Sequence, residues 1–430
     1  MASSDTDSFE NDRILFLTEF LPLHQGHGGN VYPYFVLDAL RKKGIRHLTI
    51  LSNPIEIFRK PWSQHYGSFK SVNWKRLGNL QVSVSPKDWI RFGCQGVRRV
   101  CKGISKYIPT LSHTRRVQGS KASLCTSEST RVRSPLPKAL TRYLLSLEPH
   151  VLMVNFPYLI DSLPDEVCQH HFVIVLTHEL IHERVVVYQQ HNWKLDFEPL
   201  SISQEHRLLS KANLVVAISK HDEEKLKSVL PNTPLVTCFP PIFEGPVQFP
   251  QEPDPNVIEA DFLFVGSGAV HNCETIRWIL EEIWPSISEQ YPRMRLNIVG
   301  SVCDYANTLT RDATVRLLGR VPEIDQAYQD VDLAFAFAVG GAGVKMKILE
   351  ALRFGVPAMA TEETLRGLPD GARDVFPMVE SFVDVLNFIR SLSSRTDALL
   401  TLRQQQQNWA NQHLSPDRLI QPLLDSLPVS

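Results

Sequence analysis

The sequence predicts an α/β protein of two domains, each built on a parallel sheet. Three observations carry that prediction. Short apolar runs of strand length alternate with helical patterns along most of the chain, which is the rhythm of βαβ units. The runs are nearly continuous in apolar residues, as strands covered on both faces are. A break at Phe239 to Pro255 holds six prolines (Pro240, Pro241, Pro246, Pro250, Pro253 and Pro255) and separates two such series. It reads as an interdomain linker. A length of 430 residues suits two domains of roughly 100–200 residues each.

The first series opens with Arg13 to Phe20 (RILFLTEF), a strand-length apolar run. Gly26-His27-Gly28-Gly29 follows, then a helical pattern over Asn30 to Lys43. Further strands are expected at His47 to Ser52, Leu80 to Val84, Val151 to Asn155, Phe172 to Thr177 and Ala212 to Ile218, with a helix around Leu136 to Leu147. In the second series, strands are expected at Asp261 to Gly266, Arg295 to Gly300, Thr314 to Leu318, Leu333 to Phe337 and Pro357 to Thr361. Glu274 to Glu289 reads as a long helix, and a last helix over Asp397 to Gln412 has no strand after it, so it is expected to return to the first half. The expected division is 1–238 for the first domain, 239–256 for the linker, 257–400 for the second domain and 401–430 for the returning helix.

The stretch that speaks most of chemistry is Gly340-Gly341-Ala342-Gly343-Val344-Lys345-Met346-Lys347-Ile348-Leu349-Glu350. It follows the apolar run Val331 to Val339 and leads into a helix over Lys345 to Phe354, which Gly355 and Pro357 stop. A glycine-rich strand-to-helix turn exposes backbone N–H groups at a helix N-terminus, a seat for phosphate. Two lysines in the first turn oppose the helix dipole, so an anion is expected beside them. Glu350 lies further along the helix, where a carboxylate accepts hydrogen bonds from sugar hydroxyls. A tight packing turn before an ordinary helix remains the alternative.

The formal net charge of −1 gives no global pointer to nucleic acid. No apolar run reaches the roughly 18 residues that a membrane-spanning helix needs. Met1 to Asp12 is polar and acidic, without the basic-then-apolar order of a secretory signal. The seven scattered cysteines form no CxxC pair, which argues for reduced thiols in a cytoplasmic protein and against a zinc site. One segment breaks the α/β rhythm. Trp89 to Arg142 carries twelve lysines and arginines against one acid, Glu128, with Trp89, Ile90, Phe92 and Tyr107 among the basic residues of its first part. That composition suits an anionic membrane surface, but no clear helical stripe accompanies it, and a solvated basic face on an ordinary insertion is the alternative. Gly266-Ser267-Gly268 lacks the third glycine of a dinucleotide fingerprint, since His271 stands there. There is no GxxxxGK[ST] loop, so a nucleotide triphosphatase is not expected.

Taken in order, DFLFVGSGAVHN, TIRWILEEIWP, RLNIVG, VRLLGRVPEI and GGAGVKMKILEALRFGVPAMAT make the second half similar to the retaining GT-B glycosyltransferases of family 4, the "glycosyl transferases group 1". The GGN turn after the first strand, Thr177-His178-Glu179 and ANLVVAIS before the linker extend the resemblance over most of residues 13–412. The resemblance implies two facing Rossmann-like parallel-sheet domains with the active site in the interdomain cleft. It implies a nucleotide-diphosphate sugar as donor substrate, no further cofactor and no metal. On the donor side it implies Gly28, Gly29, Gly268, Asn272, Arg320, Gly341, Gly343, Val344, Lys345, Lys347 and Glu350. His178 and Lys345 become the catalytic candidates, and His27 and Glu179 the acceptor-side ones. Lysines two apart do not share a helix face, so one of them, Lys345, is expected to face the phosphates.

The chain departs from the family in two places. Many members carry a glutamate where Ala342 stands, and an Arg and a Lys where Ser267 and Asn272 stand. Lys345 and Lys347 then become the visible source of charge for a diphosphate. The leading expectation is a retaining glycosyltransferase, cytoplasmic and in peripheral contact with membrane, acting on a glycan, lipid or small-molecule acceptor and not on nucleic acid. A non-catalytic GT-B binding or scaffold protein and a sugar-nucleotide epimerase on the same fold are the alternatives.

Overall fold

A computed structural model describes residues 13–18, 28–45, 47–52, 136, 138–148, 150–243, 260–329, 331–393 and 398–428. The strand expected at Leu80 to Val84, most of the basic segment 89–142, most of the proline-rich linker and His27 lie outside the described residues. In chain order the first series runs β1 (Arg13–Thr18), α1 (Gly28–Lys42), β2 (His47–Ser52), α2 (Lys138–Ser146), β3 (Val151–Asn155), α3 (Pro157–Ile160), α4 (Asp165–His170), β4 (Phe172–Leu176), α5 (Ile181–Gln190), α6 (Ile202–Leu209), β5 (Leu214–Ala217), α7 (Lys220–Val229) and β6 (Leu235–Thr237). These strands form one parallel sheet in the order β2-β1-β3-β4-β5-β6. All residues of β3 and β5 are buried, which is why both read as unbroken apolar runs.

The second series is β7 (Asp261–Val265), α8 (Val270–Trp278), a π turn (Ile279–Ile283), α9 (Trp284–Gln290), β8 (Arg295–Val299), α10 (Cys303–Leu309), β9 (Val315–Gly319), α11 (Ile324–Gln329), β10 (Leu333–Ala336), α12 (Met346–Arg353), β11 (Ala358–Ala360), α13 (Glu362–Leu365), α14 (Ala372–Val375), α15 (Phe382–Ser393), α16 (Ala398–His413) and α17 (Pro416–Asp425). Its strands form a second parallel sheet, β11-β10-β7-β8-β9. The chain leaves β7 in one direction and returns as β10 on its other side. The crevice beyond the carboxyl ends of β7 and β10 is therefore the place where such a sheet binds ligands.

Three elements differ from the sequence reading, each for a local reason. The helix expected at 274–289 begins earlier, at Val270, and passes through a π turn before α9. Pro285, in the first turn of α9, cannot donate to the ladder, and the widened turn stands just before it. The helix after the glycine turn starts at Met346, with Lys345 extended at φ −84° and ψ 103° as its N-cap. The two lysines therefore do not share the first turn: Lys345 precedes it. Lastly, α16 stays on the second domain, where Gln406 bonds both the N–H and the C=O of Ala358 (2.9 and 2.8 Å) and Gln407 donates to Leu352 O. It is α17 that packs on α1 and β6, with Ile420, Leu423 and Leu424 buried and Lys43 paired to Asp417 at 3.0 Å.

Candidate active site between the two sheets

The turn after β10 is docked against the first domain. Gly343 has φ +63°, and a Cβ built on it would lie 2.3 Å from His178 O and 3.0 Å from Glu179 Cβ. Only a glycine permits both that backbone conformation and that approach. Gly341 has φ +123°, and its Cβ position is 3.5 Å from Lys345 Cε and 3.7 Å from Lys345 Nζ. Gly340 is packed under the indole ring of Trp193. The turn at the carboxyl end of β10 thus meets the segment that follows β4, and the crevices of the two sheets face each other.

The two lysines have separate surroundings. Lys345 is buried and donates to Glu363 Oε1 at 2.7 Å and to Gly343 O at 3.2 Å. Burial lowers its pKa, and the Glu363 carboxylate opposes that shift without reversing it. Lys347 lies beneath the turn. Its ammonium donates to Phe337 O (2.9 Å) and Asn272 Oδ1 (3.2 Å) and sits 4.4 Å from the centre of the Phe264 ring. Burial, aided by the charge of Lys345, pushes Lys347 down to about 7. Asn272 in turn donates to Ser267 Oγ at 3.1 Å. Ser267, Asn272 and Lys347 therefore form one chain, with the cation supplied from α12. Glu350 is buried, and burial pushes its carboxyl up to about 7 although Tyr328 hydrogen-bonds to it.

His178 stands at the end of β4. Its Nε2 donates to Asn155 Oδ1 at 2.6 Å, and Asn155 Nδ2 donates to Thr18 Oγ1 at 3.0 Å. The imidazole stacks on Phe156 (3.9 Å between centres, 12° between planes) and meets the edge of Tyr32. Phe156 holds φ +74°, a conformation uncommon outside glycine and found where surrounding structure imposes it. Glu179 is held by Arg184 Nη1 at 2.9 Å, yet burial raises its pKa. Glu205, fully buried, accepts from the backbone N–H of Ile181 and of His182 (both 2.9 Å) and from His182 Nδ1 (2.6 Å). It caps α5 and so fixes the turn that carries His178 and Glu179.

A polar bridge joins the two domains beside this turn. Arg184 donates to Tyr188 Oη (3.2 Å) and Asp196 Oδ1 (3.1 Å), and its guanidinium lies 4.0 Å over the Phe197 ring. Tyr188 Oη donates to His271 Nδ1 at 2.9 Å, and Val270 N donates to Asp196 Oδ2 at 2.9 Å. Burial first, then the charges of Arg184, Lys347 and Lys345, hold His271 down at about 3, so its ring is neutral and can accept.

Other expected residues fall as follows. Gly28 and Gly29 open α1. Gly268 N donates to Ser301 Oγ at 2.9 Å. Val344 is buried and faces Gly367. Arg320 is exposed beyond β9, two strands from β7, and no ion pair of the described residues involves it. Among the described residues no group of three His, Cys, Asp or Glu could hold a metal, and no helix is long and apolar enough to cross a membrane. Glu205, Arg184, Tyr188, His271, Glu363 and Arg366 were not singled out by the sequence. Only Glu363 and Arg366, an acid–base pair three apart just past β11, left a local sign.

Residues 259–386 match the family model described as "Glycosyl transferases group 1". This stretch is similar to the glycosyl transferases group 1 domain. It contains both the β7–β10 crevice and the glycine turn. No curated protein sequence matches the chain. Among solved structures, a crystal structure of TarM matches with a TM-score of 0.60 and 11% identity over 97% of this chain and 99% of that one. HepE of Anabaena, in complex with UDP and glucose, matches with a TM-score of 0.57 and 12% identity over 97% and 99%. A point mutant of S. aureus TarM, in complex with fondaparinux, alpha-GlcNAc-glycerol and UDP, gives a TM-score of 0.52 at 11% identity. That match covers 67% of this chain, which spans only 58% of the mutant's length. The likeness establishes the fold: GT-B, two facing Rossmann-like domains.

Proposed function

We propose that the protein is a retaining glycosyltransferase that moves a sugar from a nucleotide-diphosphate sugar to a hydroxyl acceptor. One observation carries the reading: the glycine turn of the group 1 domain stands at the β7–β10 switch point, with Lys345 beside it and His178 of the first domain across from it. Cleavage of the bond from the anomeric carbon to the diphosphate oxygen leaves negative charge on phosphate and builds positive charge on the sugar. In this reading the backbone N–H groups of 341–344 and the Lys345 ammonium meet the first. The acceptor oxygen bonds to the anomeric carbon on the face the phosphate leaves, and its proton passes to the leaving phosphate. That course, and retention with it, draws on the family resemblance. His178, its Nε2 tied to Asn155, is a hydrogen-bonding group for sugar or acceptor and forms no covalent bond. Glu350 accepts from the hydroxyls of the nucleotide ribose.

Since two of the similar structures hold UDP, UDP-sugars are the donors to test first. The assay is release of UDP from UDP-glucose and UDP-GlcNAc across an acceptor panel, with the anomeric configuration of product read by NMR. Release that depends on Lys345 and Glu350, with the donor's configuration kept, is the expected result. Inverted product would reject retention, and donor binding without turnover on any acceptor would favour a binding protein, the reading Ala342 motivates. Peripheral membrane contact through residues 89–142 belongs to the same proposal and predicts sedimentation with anionic liposomes at low salt.

A further inference from the structure

Arg366 has more open hydrogen-bond donors at the glycine turn than either lysine. It follows α13 and points back to the turn, where its Nη2 donates to Gly341 O at 2.6 Å and to Glu363 Oε1 at 2.8 Å. Those two bonds use both hydrogens of that nitrogen. The other three N–H bonds of the guanidinium, on Nε and Nη1, have no protein partner among the described residues, and the side chain is 30% exposed. Lys347, in contrast, spends its ammonium on two oxygens and a ring face in a buried position. Lys345 shares Glu363 Oε1 with Arg366. Two cations on one carboxylate leave one net positive charge against the Gly341 backbone.

The position is also right for a ligand between the domains. Gly367, the next residue, faces Ser219, the N-cap of α7, whose Cβ is 3.4 Å from where the Cβ of residue 367 would lie. Arg366 is thus next to the seam on which the turn is docked. Because Nη2 belongs to both paired edges of the guanidinium and is already bonded, the free Nε and Nη1 donors meet phosphate oxygens singly, from a charge that Gly341 and Glu363 hold in place.

We propose that Arg366 holds the sugar-side phosphate of a nucleoside diphosphate at the Gly340–Lys345 turn. It fills the need left by Ser267 and Asn272, which carry no charge, and by Lys347, which is committed below the turn. Glu363 keeps Arg366 in place and yields Lys345 to the same phosphate when the ligand arrives. The proposal rests on the nucleotide-diphosphate reading above and adds a residue to it.

The test is calorimetric titration of the full chain with UDP, GDP and ADP and with the corresponding nucleosides, on the wild type, Arg366→Gln and Arg366→Lys. The expected result is nucleoside-diphosphate binding at least tenfold weaker in Arg366→Gln. Arg366→Lys recovers part of the loss, and nucleoside binding is unchanged in both. Thermal melting checks that each variant is folded, and if Arg366→Gln is not, a diphosphate-specific loss in Arg366→Lys decides. Diphosphate affinity unchanged, or diphosphate and nucleoside weakened alike, overturns the role of Arg366 and leaves the function standing. A wild type that binds none of the three diphosphates overturns both.

Discussion

Lys345 has a carboxylate partner before any ligand arrives, and that decides what its substitution should do. Lys345→Met removes the ammonium from a buried site that keeps Glu363 and Arg366 paired, so the fold is expected to survive. A transfer step that relies on the cation for its leaving phosphate should lose about 10²–10³ in kcat, the size seen for one positioned electrostatic group. Steady-state kinetics with a UDP-sugar check this, and an unchanged kcat would reject Lys345 as a transfer residue. Glu350 makes a different prediction. Its carboxyl ordinarily titrates near 4.5 and is pushed up to about 7 in the fold by burial. Between those values the unfolded chain releases the proton while the folded one keeps it, so stability falls as pH rises across that window. Lys347, depressed to about 7, has the opposite slope above that pH. Melting curves of wild type and Glu350→Gln from pH 4.5 to 7 should differ in slope, with the variant flatter.

Among the elements, the turn between β10 and α12 is the piece on which both sheets depend. Its glycines, the lysine spacing and the helix stop at Gly355-Val356-Pro357 were legible in the chain, because such turns are local chemistry. That Lys345 leaves the helix was not legible. Its backbone is extended while its side chain reaches Glu363, 18 residues away and across β11. The start of α8 at Val270 was hidden for a similar reason, since its N–H is met by Asp196 of the other domain. Gly343→Ala tests the element directly. A methyl group there meets His178 O and asks alanine to hold φ +63°, at a cost of about 1–3 kcal/mol in strain alone. A lower melting temperature and weaker UDP binding are expected. A fully wild-type variant would mean that the turn moves freely away from His178.

Across the molecule, the contact between the domains is polar on one side and apolar on the other. The polar side is the Arg184–Tyr188–His271 bridge with Asp196 on Val270 N. The apolar side runs through α1, α12 and α17 in one continuous core. Two such domains are expected to close around ligand by hinging, with the polar bridge as the part that opens. Tyr188→Phe deletes the hydroxyl that joins Arg184 to His271 without removing the ring. Small-angle scattering should show the ligand-free variant larger than the wild type, and a saturating nucleotide should bring the two together. Identical curves for both proteins in both states would count against a bridge that controls closure.

The class of the fold, most of its strands, the switch-point turn and the family resemblance that points to sugar transfer can all be read along the chain. They are written in short-range patterns: apolar runs, glycine spacing and breaks at proline. Which groups meet is settled only when the chain is folded. Folding set Lys347 under the turn with Asn272, gave Lys345 to Glu363, left Arg320 out on an edge and brought in Arg184, His271, Glu205 and Arg366. Except for Arg184, whose partners lie 4 to 12 positions away, those pairings join residues from 18 (Lys345 and Glu363) to 83 (Tyr188 and His271) positions apart. They depend also on burial, which moves Lys347 and Glu350 toward neutrality. The spacing of a single motif encodes neither the distant partner nor the loss of water around it.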